Sequence, residues 1–232
     1  MDFRAFGIIP AAGSGLRTSL PLPKQFCLVA GRPLIAYTLE RFDRLPWMEE
    51  IYVAISEDWK DYMETLITQC KLTKIRLILG GTTRHRSIRN CIEELNRKFD
   101  TESNISGDSS NQVVIVHDAV RPFVDEDTLK QIAVAAKEHG ASGAIRPLVS
   151  TVIASDENGI LDHSLVRSKY RESHTPQAFR HSIIKTAYEK ITEYDLDYGT
   201  ECLHLALEYT RTKAKLLEAP DEVWKVTEHN SY

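Results

Sequence analysis

Phe6-Gly7-Ile8-Ile9-Pro10-Ala11-Ala12-Gly13-Ser14-Gly15 passes from a short apolar run directly into a glycine-rich turn, the order expected of a buried strand that delivers a loop to an anionic ligand. Residues 34–42 then carry a helical period, Ile51-Tyr52-Val53-Ala54-Ile55 reads as a second strand, and residues 59–70 as a second helix. The rhythm continues with a strand at 75–79, a helix near 87–99, a strand at Val113-Val114-Ile115-Val116 and a helix over 126–139. Nearly continuous apolar strands separated by helices predict a doubly wound, mostly parallel α/β sheet covered on both faces. Ligands of such sheets bind beyond the carboxyl ends of the strands. The residues there are Pro-Ala-Ala-Gly after Ile9, Gly80-Gly81-Thr82-Thr83-Arg84 after Leu79, and His117-Asp118-Ala119-Val120-Arg121 after Val116.

The 232 residues are expected to form one domain, 1–232, around one core. With 29 basic and 33 acidic residues and a net charge of -4, no global positive field is available to hold nucleic acid or an anionic membrane. Cys27, Cys70, Cys91 and Cys202 include no C-x-x-C pair, which argues against a zinc ribbon or a redox dithiol and fits reduced thiols. The apolar run 6–9 is too short for a signal h-region or a membrane span, so a soluble, cytoplasmic protein is expected. The polar stretch 100–111 reads as a mobile loop. Residues 151–170 read as a protruding β-hairpin around a turn at Asp156-Glu157-Asn158-Gly159, and its apolar residues call for a partner, most simply a second subunit.

Gly13 and Gly15 let backbone N–H groups approach phosphate oxygens, and Arg17 and Lys24 bring two positive charges to the same anion. A tight strand-to-helix turn would read the same way. A dinucleotide fingerprint is disfavoured because Thr18 replaces the third glycine, and Walker A is absent. Asp118, at the end of a central strand, can bind Mg²⁺ that bridges phosphate oxygens, or cap the following turn. His117 reads as structural. In Gly80-Gly81-Thr82-Thr83-Arg84-His85-Arg86-Ser87, a capped helix start with a solvated basic face accounts for Arg84 and Arg86.

Ala11-Ala12-Gly13-x-Gly15-x-Arg17 followed by Pro23-Lys24-Gln25-Phe26 resembles the sugar-nucleotide pyrophosphorylase superfamily. The spacing is similar to that of its cytidylyltransferase branch, which acts on 2-C-methyl-D-erythritol 4-phosphate or D-ribitol 5-phosphate. The likeness covers about residues 8–227 and implies a Rossmann-like nucleotidyltransferase fold. It implies that Arg17 and Lys24 are the catalytic cations, and that Ala11, Ala12, Gly13, Gly15, Gly81, Thr82, Ser87 and Ala119 hold CTP. It further implies that Asp118 is the Mg²⁺-associated residue and that Arg121, Thr151, Arg167 and Lys225 bind the acceptor. Residues 174–179 would shape the site wall. Because Thr151 and Arg167 lie on the hairpin, the resemblance implies a homodimer in which each site is completed by the other subunit.

A phosphate oxygen is already anionic near neutral pH, so its attack on the α-phosphate of CTP needs positioning and charge neutralisation rather than a general base. Val120-Arg121-Pro122-Phe123, Tyr198-Gly199-Thr200-Glu201-Cys202, Trp224-Lys225-Val226-Thr227, and Val166 rather than Asp before Arg167 are closer to the ribitol-phosphate branch. The expected product is CDP-ribitol, for O-mannosyl glycan synthesis. The isoprenoid methylerythritol reaction and a catalytically silent nucleotide-binding relative are the alternatives. Relatives in the resemblance run on past the position of Thr227 into a final helix, so dimer stability and the packing behind Lys225 are expected to depend on such a helix.

Overall fold

Strand β1 (Arg4–Pro10) sends Ala5 and Ile9 into one hydrophobic cluster and Phe6 and Ile8 into another, all four fully buried. That two-sided burial is what a central strand of a covered sheet requires. The computed structural model describes residues 1–13, 22–106 and 111–220. After β1 come a small antiparallel pair, β2 (Leu28–Val29) and β3 (Arg32–Pro33), then α1 (Leu34–Asp43), β4 (Met48–Ile55), α2 (Lys60–Gln69) and β5 (Ile75–Leu79). Next are α3 (Arg84–Ser106), β6 (Gln112–Val116), α4 (Glu126–His139) and β7 (Ala141–Pro147). The chain continues through β8 (Ile153–Ser155), β9 (Leu161–Ser164), β10 (Arg171–Arg180), α5 (His181–Lys190), α6 (Glu193–Tyr198), α7 (Cys202–Thr210) and β11 (Lys215–Glu218).

Seven strands form one sheet in the order β11-β7-β10-β6-β1-β4-β5. The β1–β4, β1–β6, β4–β5 and β7–β11 pairs are parallel, and β10 runs antiparallel to both of its neighbours. The doubly wound, mostly parallel reading therefore stands, with one reversed strand inside it. Leu39, Phe42, Met63, Leu66, Leu129 and Ile132 place α1, α2 and α4 on one face. Ile88, Leu95, Ile184, Tyr188 and Leu205 place α3, α5 and α7 on the other. From β1 the chain steps outward to β4 and β5, and α3 then carries it back to β6 on the opposite side of β1. The strand order thus reverses between β1 and β6, which opens a crevice at their carboxyl ends.

One expectation fails. The polar stretch 100–111 is not a loop throughout, because α3 runs on to Ser106. Arg4 Nη1 donates to Glu102 at 2.6 Å and Lys98 lies 3.4 Å from the same carboxylate, so these turns are held by charge pairs that leave no apolar signature. Strands β8 and β9 do form an antiparallel hairpin, turned at Asp156–Gly159 with Gly159 at φ +78°. It is a separate two-stranded ladder, with Ile153, Ile160, Leu161 and Val166 each more than half exposed.

Candidate active site

The loop after β1 is tied down from both sides. Ala11 N donates to Ala54 O at 2.8 Å, which extends the β1–β4 ladder past the strand. Gln25 is buried, and its Nε2 donates to Ala11 O at 2.7 Å and Gly13 O at 2.9 Å. Gln25 belongs to a 3-10 turn over Lys24–Phe26, and Phe26 is buried with its ring stacked on Trp59 at 4.2 Å. Lys24 is therefore held beside the base of the glycine-rich loop by its two successors in sequence. Gln25 stood in the Pro-Lys-Gln-Phe motif without a role. The signal available was a polar residue fixed between a cation and an apolar anchor. Gly15 and Arg17 lie outside the described residues, as does Lys225.

The loop after β5 packs directly on the first. Gly80 N donates to Ile55 O at 2.7 Å, and a Cβ on Gly80 would stand 2.2 Å from Ala12 Cβ. A Cβ on Gly81 would meet Arg86 Cβ at 2.4 Å. Both glycines are thus demanded by close approach rather than by backbone dihedral. Thr83 caps α3, its Oγ1 accepting from Arg86 N at 3.3 Å and donating to Leu196 O at 2.5 Å. Ser87 Oγ accepts from Gly81 N at 3.1 Å and donates to Thr83 O at 2.9 Å, which fixes the Gly80-Gly81 peptide.

The loop after β6 closes the third side. His117 is buried and bonds Arg121 O through Nε2 at 2.9 Å. Burial pushes its imidazole down to about 4, so it is neutral and structural, as expected. Thr38 Oγ1 donates to Ala119 O at 2.9 Å, and Asp118 N donates to Thr175 Oγ1 at 3.1 Å. The side chain of Asp118 lies between two guanidiniums, with Oδ1 accepting from Arg84 Nη2 at 3.2 Å and Oδ2 from Arg121 Nε at 3.3 Å. Arg121 is buried and reaches His174 Nδ1 at 3.1 Å. Of residues 174–179, all within β10, His174 and Thr175 contact the β6 loop, whereas Ala178 and Phe179 belong to the hydrophobic core. The β7–β10 ladder is interrupted between Ser173 and Gln177, which frees His174 and Thr175 to face the β6 loop.

A second correction concerns the basic residues of α3. Arg84 does not lie on a solvated face. It turns inward to Asp118 and to Cys202 Sγ at 3.3 Å. Arg86 is ion-paired to Asp197 at 2.7 Å and Glu193 at 2.6 Å, and so fastens α6 to the start of α3. An arginine at a helix start looks the same in sequence whichever way it points. Thr151 and Arg167 sit exposed at the base of the hairpin, where Arg167 Nη1 donates to Val149 O at 2.9 Å. No helix among the described residues is long and apolar enough to cross a membrane, and the four cysteines are free thiols.

Three backbone loops thus converge at the strand-order reversal, where, among the described residues, the two guanidiniums of Arg84 and Arg121 flank the single carboxylate of Asp118. Net positive charge in a crevice of backbone N–H groups suits a polyanion. Over 220 residues the chain is 52% identical to the D-ribitol-5-phosphate cytidylyltransferase of Xenopus tropicalis, covering 95% of this chain and 53% of that protein. Over 221 residues it is 48% identical to the Homo sapiens protein of the same description, covering 95% and 48%. The chain spans about half the length of these curated relatives. The crystal structure of 4-diphosphocytidyl-2C-methyl-D-erythritolsynthase from Anaerococcus prevotii matches with a TM-score of 0.75 at 27% identity, over 99% of this chain and 92% of that one. The family model described as 2-C-methyl-D-erythritol 4-phosphate cytidylyltransferase matches residues 6–231, a span that takes in all three loops of the crevice and every strand of the main sheet but the first two residues of β1. This chain therefore belongs to the 2-C-methyl-D-erythritol 4-phosphate cytidylyltransferase family.

Proposed function

We propose that the chain transfers a cytidylyl group from CTP to D-ribitol 5-phosphate, giving CDP-ribitol and pyrophosphate. The observation that carries this reading is the identity of about half of all aligned residues with two proteins named for that acceptor. In the reaction an acceptor phosphate oxygen forms a bond to the α-phosphorus while the bond from that phosphorus to the bridging oxygen breaks, and pyrophosphate leaves. No proton has to be removed. The geometry is consistent with this, since the buried His117 beside the site is held neutral and bonded to backbone. The loops at Ala11–Gly13 and Gly81–Ser87 hold the nucleotide, together with Gly15 and Ala119, while Arg17 and Lys24 neutralise charge on the phosphates and Arg121 steadies the acceptor.

Mg²⁺ suits this site if it arrives on the triphosphate. Among the described residues there is no cluster of three metal-ligating side chains, and a hard cation that keeps waters and phosphate oxygens needs few protein ligands. Asp118 is the carboxylate at the strand ends that would hold it, because a carboxylate offers about four lone-pair sites on its two oxygens. Bound there, the ion would neutralise phosphate charge. The CDP-ribitol would serve O-mannosyl glycan synthesis in the cytosol.

Acceptor identity is tested by offering equimolar D-ribitol 5-phosphate and 2-C-methyl-D-erythritol 4-phosphate and weighing the products. CDP-ribitol should dominate by at least about tenfold, a discrimination reachable by a few hydrogen bonds. Dominance of the methylerythritol product would replace the assignment.

The exposed apolar residues of the β8–β9 hairpin support a homodimer in which Thr151 and Arg167 of one subunit complete the other's site. Mixing inactive K24A and R167A chains should then restore about a quarter of wild-type activity, since half the dimers are mixed and each holds one intact site. No recovery after subunit exchange would place Arg167 outside the partner's site.

A further inference from the structure

We propose that Arg84 is a positioning residue, one that fixes the Asp118 carboxylate by bonding it on one side and the Cys202 thiol on the other. This rests on the cytidylyl-transfer reading. The root of Arg84 cannot move far, because it is the first residue of α3 and follows the Thr83 cap and the closely packed Gly80-Gly81 loop. Its side chain is 28% exposed, and its two terminal nitrogens are divided between partners: Nη2 to Asp118 Oδ1 at 3.2 Å and Nη1 to Cys202 Sγ at 3.3 Å. Cys202 is buried at the first residue of α7. Its sulfur also meets Tyr188 OH at 3.6 Å, and that hydroxyl lies 2.8 Å from His85 Nδ1.

Burial keeps the Cys202 thiol protonated and the His85 imidazole neutral, so the network is one of oriented dipoles that ends on the Arg84–Asp118 ion pair. A thiol sulfur can still accept from a guanidinium, and the planar fork of Arg84 then has both of its ends fixed. With Arg121 on Oδ2, the carboxylate is held from two directions. Through Arg84, helices α5 and α7, neither of which supplied any of the residues implied to hold a ligand, set the orientation of a group that does.

A kinetic double-mutant cycle tests this, with wild type, R84M, D118N and R84M/D118N assayed for pyrophosphate release from CTP. R84M keeps the bulk of the stem and removes the fork. It should lower kcat roughly 10- to 100-fold, with the KM for CTP changed less than about threefold, as for a group felt mainly in the transition state. In the D118N background the same substitution should change kcat by less than about twofold, because its effect passes through the carboxylate. R84K, which keeps the charge without the fork, should recover only part of the loss. If the two single effects multiply in the double variant, or if R84M stays within about threefold of wild type, the assignment falls. Should R84M fail to fold by circular dichroism, C202A replaces it in the cycle: a lowered kcat that disappears in the D118N background supports the assignment, and wild-type kcat overturns it. Absence of release by the wild-type chain instead sinks the transfer reading and this inference with it.

Discussion

Lys24→Ala is expected to lower kcat for pyrophosphate release about 10²- to 10³-fold while the thermal unfolding midpoint stays within a few degrees of wild type. The rate effect is the size found when one fixed charge or donor is taken from a water-poor transition-state site. The thermal result follows from where the turn is anchored. Gln25 bonds Ala11 O and Gly13 O, and Phe26 packs on Trp59, so the structure around Lys24 is held by its neighbours. Circular dichroism melting and steady-state release at saturating CTP give both halves of the result. A variant with near-normal turnover would remove Lys24 from the mechanism, and a large drop in the midpoint would make it a structural residue.

Gly80→Ala is expected to damage both stability and activity. Its Cβ would lie 2.2 Å from Ala12 Cβ, 3.3 Å from Ser87 Oγ and 3.4 Å from Ile55 O, whereas carbon atoms in contact sit about 3.5–4.0 Å apart. The β1 and β5 loops must separate by more than an ångström, at a cost of about 1–3 kcal/mol. Turnover should fall about 10²-fold or more, because displacement of this order in a positioning site carries that penalty. The second-site change Ala12→Gly removes the atom that is struck first. A12G/G80A should therefore regain most of the stability and part of the rate. A G80A chain with wild-type melting and turnover would mean that the two loops are not packed against each other as described.

The first half of the fold was legible because its strands are buried on both sides and written in large apolar residues, as in Phe6 to Ile9 and Val113 to Val116. The second half was not. Strand β7 opens on Ala141-Ser142-Gly143-Ala144, small residues with no hydrophobic period, although all four are buried. Strand β10 enters through Arg171-Glu172-Ser173-His174, which are exposed or half-buried, and its buried end, residues 175–179, offers only the apolar pair Ala178-Phe179, too short to mark a strand. A single reversed strand inside a parallel sheet also has no local signal, since pairing direction is set by distant segments. Within the site, the residues singled out by motif were those in glycine-rich or strand-end segments, and Thr151, Arg167 and Lys225 came from the family resemblance alone. Gln25, Arg84 and Thr175 were not assigned roles because they work by holding other site residues, and only the folded arrangement shows what they hold.

The most direct measurement is pyrophosphate release by this 232-residue chain, supplied with CTP, Mg²⁺ and D-ribitol 5-phosphate. Release should follow acceptor addition, match CDP-ribitol formation one for one, and disappear when the acceptor is omitted. CTP binding without release, with D-ribitol 5-phosphate and with every other polyol phosphate offered, would contradict the account and mark the chain as a nucleotide-binding relative that no longer catalyses transfer.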